Sequence, residues 1–448
     1  LDTYVASPSN HFYIHYDVSG FNAPNLSDEY GIEDAIPNGI PDYIDEVALM
    51  ADYVRDLYVN QMNFLPEEDD EDGIYDIYVK NRSPYNYGVN ISDMTIIDDE
   101  VVYPNASYII IDNEYEEGSF YTSGINTMKL TLAHEFFHAI QRSYNSPSSG
   151  NLYFWEMTAT FIEDIIVPEG NDYIFWVDSF FQNPNMNISS SDGYSIALFG
   201  HYLKDEVANG NIDIIREIWE NYSLTNNSFV SIEYILENNY DTNFQYVWSD
   251  FISRNFFNGV YDDMDNDIYF YIDQKDVTPL SSYFSSPELL NDNMFISGSL
   301  FINDISANNK AYFVDTMRAI NVDYSTSTQM EGFASILSQN INFNKQIYIN
   351  DNTDEIYLNE NDLLFLTHSL HNAGFLNFEI DSSILNINLG DCNLDQNLNV
   401  LDIVLLIDFI LLQSFQNQLE YINADVNTDN GLNIYDLVLL IEMILNTR

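Results

Sequence analysis

Apolar and polar residues alternate with different periods in different stretches of this chain. In His11-Phe12-Tyr13-Ile14-His15-Tyr16 the period is two, which predicts a half-buried strand. From Pro41 to Phe64 the apolar residues Ile44, Val47, Ala48, Ala51, Val54, Leu57 and Tyr58 recur at the spacing of one helix face, with Pro41 in the first turn. Strands are again predicted over 74–79 and 106–111, and helical patterns then succeed one another from Thr127 to Phe257. A small sheet followed by a helical half is an α+β arrangement, and it assigns residues 1–270 to a first domain.

The texture changes over residues 277–385. Short segments such as Lys310 to Val314, Ala334 to Leu337, Gln346 to Ile349 and Phe375 to Ile380 are separated by Asn, Asp, Ser and Gly, the pattern of an all-β sandwich. His368 and His371 would form a metal pair on a helix, but in a β-rich stretch they read as two ordinary polar side chains. Residues 388–448 contain an internal repeat. Asp391-Cys392-Asn393-Leu394-Asp395 recurs as Asp425-Val426-Asn427-Thr428-Asp429, and Ile403, Leu406, Ile407 and Ile410 recur as Leu437, Leu440, Ile441 and Ile444. A repeat of paired helices would run its first helix through an Asp/Asn cluster that favours loops, so that alternative is rejected.

Composition then narrows the function. The 448 residues carry 13 Lys+Arg against 71 Asp+Glu, a formal net charge of −58, which excludes nucleic acid and anionic membrane surfaces as partners. With 46% apolar and 15% aromatic residues the chain can still bury cores, so it is not an acidic disordered tail. Such self-repulsion calls for salt, bound Ca²⁺, or both. The single cysteine, Cys392, excludes a disulfide framework. The stretch from Ile403 to Leu412, interrupted by Asp408, is too short to span a bilayer. A start at Leu1 without a charged, then apolar, leader is what an exported mature form, or a trimmed chain, would have.

The strongest chemical signal is His134-Glu135-Phe136-Phe137-His138 within a helical pattern. Residues four apart share a helix face, so both imidazoles reach one ion while Glu135 stands beside its open position. Zinc in catalytic sites takes three protein ligands and a water, so a third ligand is required. It is expected on the next helix, after the turn from Ser146 to Asn151, where Glu156 can face the histidines and small Ala159 permits close packing. Glu163, two turns on, is placed either to accept the second N–H of a ligand histidine or to face solvent.

A His-Glu-x-x-His helix followed by a glutamate on the next helix resembles the gluzincin metallopeptidases, carried here by His134, Glu135, His138 and Glu156. The wider pattern through Asn38-Gly39-Ile40-Pro41-Asp42-Tyr43 and Trp155-Glu156 is similar to secreted bacterial metalloproteases over roughly the first 270 residues. That resemblance implies an antiparallel edge strand, expected at Tyr108 to Ile111, to hold a peptide or protein substrate by its backbone. It also implies an oxyanion donor downstream, Tyr194 with His201 in reserve, both within the segment from Asp192 to Leu203. The expected chemistry is hydrolysis assisted by Zn²⁺, with Glu135 as general base and no serine or cysteine nucleophile.

The tail fits a calcium-loop template. Asp391, Asn393, Asp395, Asn399 and Asp402 take positions 1, 3, 5, 9 and 12 of one loop, and Asp425, Asn427, Asp429, Asn433 and Asp436 those of a second. Gln396 and Asn430 replace the usual Gly at position 6. The repeat resembles a type I dockerin, one helix after each loop, which implies Ca²⁺ and docking onto a cohesin on a scaffold or cell surface. The family reads its partner at positions 10 and 11, here the apolar Val400-Leu401 and Ile434-Tyr435; the alternative is a module that packs only on its own chain. Asp34, Asn38 and Asp42 form a further calcium candidate, and Glu67 to Asp72 is either another or a solvated acidic loop.

The sequence therefore predicts a secreted zinc endopeptidase with a β-sandwich and a calcium-binding docking tail. The rival is an inactive, protease-like adhesion protein held by that tail, against which retention of Glu135 weighs. An exopeptidase would need a group for the substrate amine, and no Gly-x-Met-Glu-Asn pattern occurs.

Overall fold

The computed structural model describes all residues except 25–37, 70–71, 83–85, 94, 98–99, 104, 119, 265–266, 292–293, 304, 340–343, 350–355, 386, 413–417, 430 and 447–448. The chain opens with strands β1 (Thr3–Ala6) and β2 (Phe12–Tyr16), then helix α1 (Asp42–Arg55). The apolar face of α1 is buried as its periodicity requires, through Ile44, Val47, Ala51 and Val54. Beyond Arg55 the coil widens into a π-helical segment, Asp56–Gln61.

Strands β3 (Tyr75–Val79), β4 (Gly88–Ser92), β5 (Thr95–Ile97), β6 (Glu100–Tyr103) and β7 (Ser107–Ile111) come next. One sheet has the order β1-β2-β3-β7-β4, in which β2, β3 and β7 run parallel and β4 is antiparallel to β7. The segment expected at the edge, Tyr108 to Ile111, is therefore interior, and among the described residues β4 is the edge strand next to it, β1 being the edge at the other end. Gly88-Val89-Asn90-Ile91-Ser92 is half-buried throughout and offers only two apolar side chains, so its period-two signal is weak.

The helical half comprises α2 (Gly124–Arg142), α3 (Leu152–Ile166), α4 (Ile174–Phe181), α5 (Ala197–Tyr202), α6 (Asp213–Thr225), α7 (Ser228–Asn239) and α8 (Phe244–Arg254). Helix α2 is buried on nearly every side from Thr127 to Gln141, a helix enclosed in the domain core. Helix α3 packs beside it.

The later strands build two sheets: β8 (Glu288–Leu290), β9 (Met294–Ile302), β10 (Asn308–Val314), β11 (Arg318–Thr326), β12 (Met330–Leu337), β13 (Lys345–Ile349), β14 (Ile356–Leu358), β15 (Leu363–Leu370) and β16 (Gly374–Ile384). Their orders are β13-β12-β15-β10-β8 and β14-β11-β16-β9. Val314, Ile336, Leu364 and Leu366 of one sheet meet Ile320, Val322, Phe378 and Ile380 of the other in one apolar core, so the sheets form a sandwich. The outer face of β12 and β15 packs on α8 and the turn after it: Ser249 Oγ lies 2.6 Å from Ser369 Oγ, and Phe256 stacks on Phe365 at 4.1 Å. Strand β12 is accordingly buried at every position, which is why it does not alternate in sequence. His368 faces the sandwich core against Tyr324, and His371 Nδ1 lies 3.3 Å from Gln245 Oε1; the two do not converge.

The chain ends in α9 (Val400–Leu412), α10 (Gln418–Ala424) and α11 (Ile434–Asn446), packed around Leu406, Phe409, Leu440 and the buried Cys392. Among the described residues no helix is long and apolar enough to cross a membrane.

Candidate metal centre

Helix α2 presents His134 and His138 one turn apart, and α3 brings Glu156 opposite them. His134 Nε2 lies 3.2 Å and His138 Nε2 3.4 Å from Glu156 Oε2, and the three ligand atoms fall within 4.8 Å of one another. A tetrahedral ion with bonds of ~2.0–2.1 Å separates its ligand atoms by roughly 3.3 Å, so the spacing fits one. Both imidazoles are oriented through Nδ1. His134 Nδ1 donates to Glu163 Oε2 at 2.8 Å, and His138 Nδ1 donates to Gln141 Oε1 at 2.7 Å. Gln141 is held in turn, donating to the Trp155 carbonyl at 2.9 Å and Thr158 Oγ1 at 3.0 Å across the α2–α3 interface. Each Nε2 is thereby turned to Glu156 and is the atom its ring would offer an ion.

The electrostatics agree with a cation seat. Burial works against charge on His134, but Glu163, Glu156 and Glu135 outweigh it and raise its pKa well above the usual value. Burial likewise opposes charge on Glu156, yet His138 and His134 hold it well below the usual carboxylate range. A field that retains a proton here would retain a metal cation. Glu135 is buried beside the histidines, and that burial raises its pKa despite their charge. Burial does the same to Glu163.

Tyr194 reaches the centre from the segment before α5. Its ring stacks on His134 at 5.7 Å with 7° between planes, and its hydroxyl bonds to Glu156; burial and that carboxylate raise its pKa. Gly193 makes this approach possible: its φ is +90°, and a Cβ there would lie 2.5 Å from Glu156 Cβ and from the Tyr153 carbonyl. His201 goes elsewhere. It is buried between Phe161, Tyr173 and Tyr271 with Nε2 3.3 Å from Asp164 Oδ2, and it lines neither cavity beside the triad. Its position one turn into α5 points it into the helical core, so the oxyanion role expected of it in reserve is not available.

The triad lies along a cleft floored by β4. Gly88 abuts Glu135, where a Cβ would sit 2.8 Å from its Cγ, and Asn90 Nδ2 donates to the Glu135 carbonyl at 3.3 Å. Arg142 Nε donates to Asn90 Oδ1 at 2.7 Å, tying α2 to the edge strand. From sequence, Gly88, Asn90, Gln141 and Arg142 had no role. Gln141 carried a signal, lying three residues past His138 on the same helix; the strand residues carried none.

The two tail loops have the same internal geometry. In each, position 5 donates its N–H to position 1: Asp395 N to Asp391 Oδ1 at 3.0 Å, and Asp429 N to Asp425 Oδ1 at 3.1 Å. Position 9 donates its N–H to position 12, Asn399 to Asp402 at 2.8 Å and Asn433 to Asp436 at 2.9 Å. Asn393 N and Asn427 N donate to the other oxygens of Asp402 and Asp436. Both twelfth-position carboxylates are fully buried, a costly placement for an anion unless a cation shares it. Gln396 takes the left-handed conformation at φ 65°, so Gln at position 6 does make the turn. Val400, Leu401, Ile434 and Tyr435 are exposed. Near the start, Asn38 Nδ2 donates to Asp45 Oδ2 at 2.8 Å and Asp42 begins α1, while Asp34 lies outside the described residues, as does Asn430. Glu67 is paired with Arg55 Nε at 2.7 Å and with His11, so its charge is balanced by side chains.

Residues 389–445 match the dockerin type I domain, and this part of the chain is such a domain, a calcium-binding docking module. No curated protein matches the chain. Among solved structures, that of Salmonella Typhimurium PliG, a periplasmic lysozyme inhibitor of g-type lysozyme, is similar at 10% identity over 22% of this chain and 100% of its own. With a TM-score of 0.16 that likeness carries no argument.

Proposed function

We propose that this chain is a zinc-dependent endopeptidase that works outside the cell, docked through its dockerin domain to a cohesin-bearing scaffold or surface. The observation that carries the reading is the convergence of His134, His138 and Glu156 at an open cleft with Glu135 beside them. Imidazole and carboxylate donors in this number suit zinc, which when bound supplies a Lewis acid and brings the pKa of a water to about 7. Glu135 is the general base: its buried carboxylate takes a proton from water and delivers it to the leaving amine. Tyr194 donates its hydroxyl to the carbonyl oxygen as negative charge builds there, an interaction typically worth about 2.7–4 kcal/mol. Edge strand β4 offers backbone N–H and C=O groups to an extended peptide, which favours peptide over a small ester. Dockerin domains bind cohesins, and proteins that carry them typically act outside the cell.

The deciding experiment measures cleavage of fluorogenic peptides by the full-length protein together with its zinc content. Glu135→Gln should lower kcat/KM by about 10²–10⁴-fold while zinc stays bound. Undiminished cleavage by that variant would falsify the assignment.

A further inference from the structure

On one side of the triad a cavity of about 280 Å³ is lined by three carboxylates, Glu135, Glu163 and Asp172, and by the rings of Tyr87, Trp176 and Tyr194. Among the described residues no Lys or Arg lines it. Two of the carboxylates already have work, Glu163 as acceptor from His134 and Glu135 beside the imidazoles. Asp172 has none. It is 8% exposed, and its Oδ1 is buried without a hydrogen-bond partner among the described residues. Although it stands just before α4, no side chain caps that helix, so a capping role does not account for it. Burial, with Glu163 nearby, pushes its pKa up to about 7, a strain that an arriving cation would relieve.

The rings continue outward. Trp176 lies 5.6 Å from Tyr194 and 5.3 Å from Tyr121, and Tyr121 stacks on the exposed Phe175 at 5.7 Å. Buried carboxylates and aromatic rings, with no Lys or Arg among the described lining residues, make an environment that favours an ammonium or guanidinium.

We propose that this cavity is a substrate subsite for a cationic group, with Asp172 the residue that selects it. The inference rests on the peptidase reading and adds the class of substrate. A second cavity beside the triad, of about 270 Å³, differs in holding one cationic side chain, Arg142, among Pro147, Leu152 and Trp155, along with Glu135 and Glu156. Helix α2 contributes Leu130, Thr131, His134 and Glu135 to the first cavity and Glu135, His138 and Arg142 to the second, so of the two only the second has a guanidinium. A net charge of −58 would also concentrate cationic peptides at its mouth.

The test uses the zinc-loaded full-length protein and quenched peptides with Lys, Arg, norleucine or Glu scanned across the positions flanking the cleaved bond. Each peptide is made both N-acetylated and with a free N-terminus. At one position Lys or Arg should give kcat/KM about tenfold or more above norleucine, and the isosteric Asp172→Asn should bring that ratio close to one. A preference in the acetylated series places the cation on a side chain; one that needs the free amine places it at the peptide's N-terminus. Either supports the subsite. Equal losses for Lys and norleucine peptides in Asp172→Asn, or no preference in the unsubstituted protein, would overturn it. Calorimetric binding of the same peptides to Glu135→Gln, with and without Asp172→Asn, needs no turnover. Cation-selective binding without any cleavage sinks the peptidase and keeps the subsite, whereas cleavage without selectivity does the reverse.

Discussion

Glu163 and Gln141 each engage the Nδ1 of one histidine, and that choice of proton position makes both Nε2 atoms available to a shared ion. Glu163 could be read in the sequence only as one of two things, because a helix-face carboxylate and a histidine partner look alike until the neighbouring helix is in place. Tyr194 depends on its neighbour in the same way. Alanine at Gly193 would combine the left-handed conformation with a contact of 2.5 Å against the Tyr153 carbonyl. Gly193→Ala should therefore cost about 1–3 kcal/mol in urea unfolding and lower kcat/KM by displacing the Tyr194 hydroxyl. His368 illustrates the opposite limit. Read from sequence as a polar histidine, it is buried in the sandwich with neither ring nitrogen bonded among the described residues, and burial lowers its pKa from 6.5 to about 3. Below pH 6.5 the unfolded chain takes up a proton that the folded one refuses, so stability falls by about 1.4 kcal/mol per pH unit down to about pH 3. Comparing urea midpoints at pH 7 and 5 should show a drop that His368→Leu makes shallower by about 2 kcal/mol.

Among the elements, α2 and α3 matter most because the proposed ligand set is split between them. Their register is held by Gln141, whose amide bonds to the Trp155 carbonyl and Thr158 while its oxygen orients His138. Gln141→Leu keeps much of the volume and removes all three bonds. Zinc affinity, measured by competition with a chromophoric chelator, should weaken about 10–100-fold, with little change in helix content. Both helices were legible in sequence because strong apolar periodicity and the His-Glu-x-x-His spacing coincide on one of them. The edge strand was not. Ser107–Ile111 carries the stronger β pattern for the very reason that it is interior, flanked by β3 and β4, whereas the edge strand β4 has the weak pattern of a half-buried, polar-rich segment.

Across the whole molecule, charge and calcium belong together. The two tail loops bury Asp402 and Asp436, and the core around Leu406 and Leu440 is small. Calcium at about a thousand times its dissociation constant would add about 4 kcal/mol to the stability of such a module. Treatment with a calcium-selective chelator should raise hydrogen exchange throughout residues 389–445 while protection of α2 and β12 is retained; protection lost everywhere would contradict an independent docking module. The sandwich is joined more closely to the rest. Phe365 shares the core of the helical half, and α8 covers the outer face of β12 and β15. Sequence patterns separated these regions by texture, but a strand buried on both faces loses alternation and gives no sign of which partner covers it.

The chain's own order of residues was sufficient for the elements whose periodicity is strong, for the two calcium loops with their repeat, and for the proposal that His134, His138 and Glu156 share an ion, since all of these are set by spacing within or between adjacent segments. Which strand lines the cleft, that His201 turns into the core, that Gln141 holds His138, and that Asp172 Oδ1 is left without a partner among the described residues were decided by packing between distant segments. Spacing along a helix or loop is local geometry, while burial and pairing come from what the rest of the fold lays against each side chain.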